Sequence, residues 1–248
     1  MSNPCPSPIP EHWNLPASIR NRLGVEPGRQ RVMDEDNHLL LILHAPPTPD
    51  DDELRRAILF WQDHEDEWES HPEEGGREAL RNHLQRYADL AHRLDEQVEA
   101  AKTPRDFFEV MKQTNPLLRA ARNQLIVLEE ARSARPDSRF LIVMRDQAVA
   151  IDRAIELVAA DAKSGMDFTM AENAEQQAQF AYEAGIEARR LNRLVAFFFP
   201  IATLVAVFGI NKPEDILHMP SFWIVLAVGV LAGFLVLFVL SLRMKSKE

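Results

Sequence analysis

A short stretch near the C-terminus contains residue types that bind or attract cations, and apolar segments flank it on both sides. Gly209, Ile210 and Asn211 supply backbone carbonyls and one side-chain amide oxygen. Glu214 and Asp215 follow and supply two carboxylates. Oxygen ligands of these kinds are preferred by hard cations such as Mg²⁺. Gly and Asn are also ordinary helix C-terminal residues, since both tolerate the left-handed conformation. The stretch can therefore be a cation site or a simple helix end.

Two other polar clusters have weaker patterns. His64, Glu65, Glu67 and His71 do not form HExxH, because no His lies four residues after His64, so we interpret them as a solvated hairpin. Residues 50–53 are acidic but lack the alternating ligands and central Gly of an EF-hand. The sequence contains no phosphate-binding loop, nucleophile elbow or catalytic-triad spacing, so we expect that the protein is not an enzyme.

The composition excludes some classes of protein. The formal net charge of −10 argues against a general nucleic-acid binder, which needs a basic surface. Cys5 is the only cysteine, so no intrachain disulfide can form and a reducing compartment fits.

Two apolar segments predict membrane-spanning helices. Residues 194–210 and 222–242 contain no charged side chain over 17 and 21 residues. At about 1.5 Å per residue they extend roughly 25 and 31 Å, against a bilayer core of about 30 Å. The alternative, a buried core hairpin, is difficult to accommodate in a small soluble domain.

Basic residues predict the orientation of these spans. Three arginines precede the first span within residues 189–193, and three basic residues follow the second within 243–248. The loop of residues 211–221 between the spans has only Lys212. The positive-inside rule therefore places both termini in the cytoplasm and the loop outside. We expect the membrane to be the plasma (inner) membrane.

The chain before the spans is predicted to be mostly helical. Residues 1–11 are Pro-rich and predict a disordered tail. Residues 12–72 predict a small mixed α/β unit, with strands at 38–45 and 56–63. Residues 73–168 have helical spacing, and one helix has an apolar face of Leu80, Leu84, Tyr87, Leu90, Ala91 and Leu94. Pro116 is expected to interrupt these helices, and Gly165 to end the last of them.

A long helical stalk is predicted over residues 169–193, continuing into the first span. Thr169 and Glu172 match a capping box at its start. Small residues recur along it at spacings of three and four, the repeat of a coiled coil: Ala171, Ala174, Ala178, Ala181, Gly185 and Ala188. This small-residue seam predicts either packing on the chain's own domain or self-association.

The first span and its loop resemble the CorA family of magnesium channels. "FFFPIATLVAVFGIN" followed by "HMP" is similar to the family's Pro-bearing helix, which ends in Gly-Met-Asn before a Met-Pro-Glu loop. Pro200 stands eleven residues before Asn211, as in that pattern. The chain departs from it at Ile210, which replaces Met, at Phe208, which replaces the usual Tyr, and at Ser221, which replaces the acid. The family's zinc-transporting branch tolerates a variable middle residue, so Ile210 leaves the transported ion open between Mg²⁺ and Zn²⁺.

This resemblance covers residues 190–248 and, more weakly, residues 12–65. It implies a homo-oligomer, most simply a pentamer, whose first spans line the pore and whose Gly209-Ile210-Asn211 forms the selectivity mouth. It implies that Glu214 and Asp215 attract cations to the mouth, and that residues 50–53 are candidates for a regulatory divalent site. The implied pore-lining residues are Leu191, Val195, Ala202 and either Phe199 or Phe198, with Phe199 preferred.

The sequence therefore predicts a CorA-like channel for Mg²⁺ or for Zn²⁺ and Co²⁺. Its predicted partners are copies of itself, the lipid bilayer and divalent cations, with no nucleic acid. No cofactor is expected beyond the divalent cation, which is the transported ion and a candidate regulator. The alternative is a membrane-anchored scaffold or regulator that does not conduct.

The predicted topology can be tested by cysteine labelling. In a Ser221→Cys variant with Cys5 replaced, we expect an impermeant thiol reagent to label intact cells, because the loop is predicted to lie outside. Labelling only after permeabilisation would contradict both the topology and the outer mouth.

Overall fold

A computed structural model describes residues 9, 10, 12–24, 28–47, 56–209, 223, 224, 227–235 and 238, with backbone alone at 204, 205 and 207–209. The chain divides into two compact units, unit 1 at Met1–Ala171 and unit 2 at Glu172–Glu248.

Unit 1 contains a four-stranded antiparallel sheet. Its strands are β1 (Arg31–Glu35), β2 (His38–His44), β3 (Ala57–Gln62) and β4 (Trp68–His71), paired in chain order. The positions of β2 and β3 confirm the two predicted strands. A two-residue turn, Asp36–Asn37, joins β1 to β2 with φ angles of 50° and 65°. Positive φ at both positions is the requirement of the type I′ hairpin turn, which matches the twist of the strands.

Both faces of the sheet are apolar, and both are covered. Along β2, Leu39, Leu41 and Leu43 belong to the core cluster shared with the helices, whereas Leu40 and Ile42 belong to a second cluster. The N-terminal segment supplies the cover for this second face with Ile9, Trp13, Leu15 and Ile19, the last in the short helix α1 (Ala17–Arg20).

The prediction of a disordered tail over residues 1–11 is therefore wrong at Ile9, which is buried against the sheet. Its side chain helps to remove the second apolar face from water, and this burial outweighs the Pro-rich composition around it. Residues 1–8 and 11 lie outside the described part of the chain.

Three long helices complete the described fold: α2 (Arg77–Ala100), α3 (Pro104–Ala134) and α4 (Arg139–Gly209). The predicted apolar face of α2 is confirmed, since five of its six residues are buried and Leu90 is partly exposed. Thr103 and Asp106 form a capping box at the start of α3, which the sequence analysis did not identify. The prediction of a mainly helical chain with a small sheet unit and a long helix is confirmed.

Pro116 does not interrupt α3, contrary to the prediction. Thr114 and Leu117 on either side of it are buried in the core. Burial of an apolar side chain such as Leu117 contributes about 1.5–3 kcal/mol, which offsets much of the roughly 3 kcal/mol that an internal proline costs.

Gly165 and Thr169 lie inside α4, so the predicted helix end and the predicted start of a separate stalk are both wrong. A Cβ at Gly165 would clash with the ring of Phe107 in α3. Gly165 therefore permits close packing of α3 on α4 and does not end the helix. The Thr169 hydroxyl donates to the carbonyls of Gly165 and Met166, at 2.9 and 3.0 Å, a bond of helix interiors that an N-cap does not make.

A buried polar pair joins α2 to α3. His83 Nε2 lies 2.8 Å from Gln124 Oε1, and both side chains are inaccessible to solvent. Burial in this apolar setting lowers the pKa of His83 from 6.5 to about 4, although the hydrogen bond to Gln124 acts in the opposite direction. The imidazole is therefore neutral in the folded protein at physiological pH.

This burial predicts acid sensitivity of unit 1. Because the folded pKa lies below 6.5, the unfolded chain binds a proton that the folded chain does not. The contribution to stability is complete above pH 6.5 and is lost as the pH falls toward 4, with a loss of about 2 kcal/mol between pH 7 and pH 5. Urea unfolding followed by tryptophan fluorescence should show this loss in the wild type but not in His83→Gln. His92→Gln, an exposed control on the same helix, should behave as the wild type. An equal loss in all three would contradict the assignment to His83.

Candidate functional site

Only the first residue of the predicted selectivity mouth belongs to the described part of α4. Gly209 is the last residue of that helix. Ile210, Asn211, Glu214 and Asp215 lie outside the described residues, so their roles stay predictions. The acidic residues 50–53 also lie outside them.

The predicted pore-lining residues lie on an exposed part of α4. Val195 and Phe199 are 53% and 68% exposed, and Leu191 and Ala202 are exposed as well. Large apolar side chains at this exposure on a helix indicate a surface that meets lipid or another protein.

A second helical segment, residues 227–235, packs against α4 within unit 2. Gly229 and Gly233 are buried, and a Cβ at Gly233 would lie 2.8 Å from the backbone oxygen of Phe197. The rings of Phe197 and Phe234 meet edge to face at 5.3 Å. Gly233, the second glycine of a GxxxG spacing, therefore lets this segment approach the α4 backbone closely.

This contact fixes which face of α4 is turned away from the second segment. Successive helix residues are about 100° apart, so Val195 and Phe199 each lie about 160° from Phe197. Leu191 and Ala202 lie about 120° and 140° from it, whereas Phe198 lies only about 100° away. The four residues preferred as pore-lining thus share the side opposite the contact, and Phe199 fits that side better than Phe198.

The small-residue seam is exposed, with Gly185 partly so. Its alternation of three and four continues without a break through Asn192, Val195, Phe199 and Ala202. The seam and most of the predicted pore face are therefore one stripe along α4. Leu191 stays a predicted pore-lining residue, and the position of this repeat next to it is occupied by Asn192. Extending the seam spacing past Ala188 would have identified it.

The stripe carries no charged side chain between Ala171 and Ala202. By the same helical rotation, Arg190 and Arg193 lie about 20° and 40° from Phe197, and Arg189 lies about 80° from it. Arg190 and Arg193 are therefore directed away from the stripe. Arg189 is not, because its Nε donates to the carbonyl of the stripe residue Gly185 at 3.1 Å.

The other polar candidates gain no support as metal sites. His64 lies in the turn before β4 and His71 is the last residue of that strand. Within the described ranges, no group of three or more His, Cys, Asp or Glu residues is arranged to hold a metal ion.

The predicted spans are described only in part. Residues 210, 222, 225, 226, 236, 237 and 239–242 lie outside the description. Among the residues that the structure does describe, no helix is both long enough and apolar enough to cross a membrane.

Comparisons with solved structures identify the fold. The chain is similar to the full-length CmaX protein, with a TM-score of 0.54 and 14% identity over 86% of this chain and 76% of that one. It also matches the CorA magnesium transporter from Methanocaldococcus jannaschii (TM-score 0.45, 14% identity, 86% and 79% coverage). A third match is the ZntB cytoplasmic domain from Vibrio parahaemolyticus (TM-score 0.49, 13% identity, 65% and 80% coverage).

The CmaX match shows that this chain shares the fold of that protein. The other two TM-scores fall below 0.5. No protein-family model matches the chain, and no curated protein matches it.

The contact between Gly233 and Phe197 predicts a sharp size limit. Gly233→Leu should destabilise unit 2 by about 1–3 kcal/mol, because the helix backbones cannot approach as closely. Ala227→Leu adds bulk at an exposed position of the same segment and is the matched control. Thermal unfolding in detergent should show a lower midpoint for Gly233→Leu alone. Equal midpoints for the two variants would contradict the contact.

Proposed function

We propose that the protein is a CorA-like divalent-cation channel, assembled from several identical chains whose α4 stripes surround a common axis. The observation that supports this most is the rotation of α4 in unit 2. Phe197 is turned toward the second segment, and the exposed, uncharged side with Val195 and Phe199 is left for the axis. The sequence resemblance of residues 190–248 to the CorA family points in the same direction.

The stripe has the composition that such an arrangement requires. Two spans in one chain cannot enclose a hydrated ion, so identical chains must do so around an axis. Alanine and glycine on the stripe let neighbouring helices approach closely. Arg190 and Arg193 are directed away from it, so a cation on the axis does not meet these two rings of positive charge, whereas Arg189 lies beside Gly185 of the stripe.

The mouth supplies selectivity in this proposal. Mg²⁺ dehydrates reluctantly and keeps most of its water shell. A ring of Asn211 side-chain oxygens and Gly209 carbonyls can accept hydrogen bonds from that shell without holding the ion too tightly for release. In a pentamer, Glu214 and Asp215 together contribute ten carboxylates against five Lys212 ammonium groups. This excess of negative charge concentrates cations at the entrance.

Apolar residues below the mouth supply the gate. Rings of Phe199 and Val195 narrow the axis and exclude water, and such constrictions close a pore by dewetting. Asn192, the next position of the stripe, gives a ring of amides on the inner side of this constriction. The protein in this proposal is not an enzyme and needs no cofactor beyond the divalent cation.

A non-conducting scaffold or regulator is the second candidate. Ile210 in place of Met and Ser221 in place of the loop acid favour it, because both changes fall on the residues that would select and attract the ion.

The Asn211→Gly variant separates a filter from a helix end. Gly is preferred at helix C-termini, so the change should be nearly silent if Asn211 is only a cap. If Asn211 forms the filter, the change removes the ring of amide oxygens. Divalent flux into reconstituted vesicles should then fall at least about tenfold, the effect of losing roughly 1.4 kcal/mol. Native mass spectrometry should show unchanged assembly.

Asn211→Asp is the companion variant, since it keeps the size and adds a negative charge per chain. Cations should bind more tightly and leave more slowly, so block or altered selectivity is expected. Wild-type flux in Asn211→Gly would contradict the filter.

A further inference from the structure

A groove runs between α2 and α4 on the surface of unit 1. It has a volume of about 490 Å³, and alanines line much of it, among them Ala88, Ala150 and Ala154. Leu157 lies along it with 46% of its surface exposed. Because the lining alanine side chains are small, the groove beside the exposed Leu157 has room for a bulky apolar side chain from another molecule.

The two walls of this groove carry carboxylates. Asp95 stands on α2 and Asp161 on α4, and no Lys or Arg lines the groove. Neither carboxylate has an ion pair within the part of the chain that the structure describes. An occupant must therefore be apolar at its centre and basic at its edges.

One helix face of this chain has that chemistry. Phe108 of α3 is 55% exposed, on the side of the helix opposite its buried residues. Arg105 and Lys112, three and four residues away on either side, lie on the same face because helix neighbours at these spacings are adjacent. Both are exposed, and Lys112 has no ion pair among the described residues.

Basic side chains flank the apolar centre of this α3 face. Arg105 and Lys112 are seven residues apart, or about 10.5 Å along the helix, with Phe108 between them.

We propose that the groove binds the α3 face of a second copy of this chain, with Phe108 inserted beside Leu157. In this contact Lys112 lies near Asp95, and Arg105 lies near Asp161. This inference rests on the proposed assembly of identical chains and deepens it. The contact is head-to-tail, because each copy offers its groove to one neighbour and its α3 face to the other. Such contacts close into a ring when the rotation between copies permits.

Charge reversal in the full-length chain tests the interface. Lys112→Glu and Asp95→Lys should each raise the dissociation constant of the assembly in mild detergent by about tenfold, because each places like charges together. The double variant should return to within about twofold of the wild type, since the charges are then exchanged. Native mass spectrometry over a dilution series gives these constants.

Matched controls exclude a general effect of charge. Arg93→Glu and Asp89→Lys reverse charges of the same signs at exposed positions of α2 that do not line the groove. Both variants should assemble as the wild type does. Phe108→Ala should weaken assembly without any change in charge.

The outcomes distinguish this interface from the proposed function. Single variants that assemble with the wild-type dissociation constant would overturn the interface but not the proposed channel. The same conclusion would follow if the double variant had a dissociation constant no lower than that of the weaker-assembling single variant. A wild-type chain that is monomeric at all concentrations would overturn the proposed assembly itself and the interface with it.

Discussion

The described structure depends on α4 remaining one uninterrupted helix from Arg139 to Gly209. Gly165 lies within this helix and allows α3 to approach it closely, since any larger residue would meet the ring of Phe107. Before Ala171 the helix buries one face in the core of unit 1, at positions such as Ile155 and Ala162. After Glu172 its side chains are mostly exposed. Because residues along a helix keep a fixed rotation, a single contact in unit 2 determines which of the later side chains share a face.

That contact is the packing of Gly233 on Phe197. Because of this contact, the part of α4 in unit 2 has two distinct sides. One side holds Phe197 and lies near the direction of the basic residues, and the other holds the uncharged stripe with Val195 and Phe199. The proposed channel uses this difference, because a cation path needs a side of the helix that is free of positive charge and able to exclude water when closed.

Much of the fold could be predicted from the sequence, and the errors have physical causes. Local sequence patterns predict strands β2 and β3 and the apolar face of α2. These predictions succeed because the residues in those patterns are the ones that the fold buries. Gly165 and Pro116 were misread as breaks because single-residue propensity carries no information about packing. Phe107 and the buried neighbours of Pro116 determine the outcome in three dimensions.

The N-terminal cover at Ile9 was missed for the same reason, since its partner surface on the sheet is distant in sequence. The candidate site shows the same limit. Its residue types and spacing were visible in the sequence, and the sequence preferred Phe199 over Phe198 by resemblance alone. The contact at Phe197 adds a geometric reason for that preference. Asn192 could have been found from the seam spacing alone.

The central claim is that identical chains form a path for divalent cations, and ion flux through the wild-type protein tests it most directly. The assembled chain would be reconstituted into vesicles that contain a metal-sensitive dye, and Mg²⁺, Zn²⁺ and Co²⁺ would be added outside in turn. A conducting channel predicts that at least one of these ions enters faster than in empty vesicles, at a rate that rises with the amount of protein. Entry of all three ions at the rate of empty vesicles, with assembly verified in the same preparation, would contradict the channel and leave the scaffold as the function of this protein.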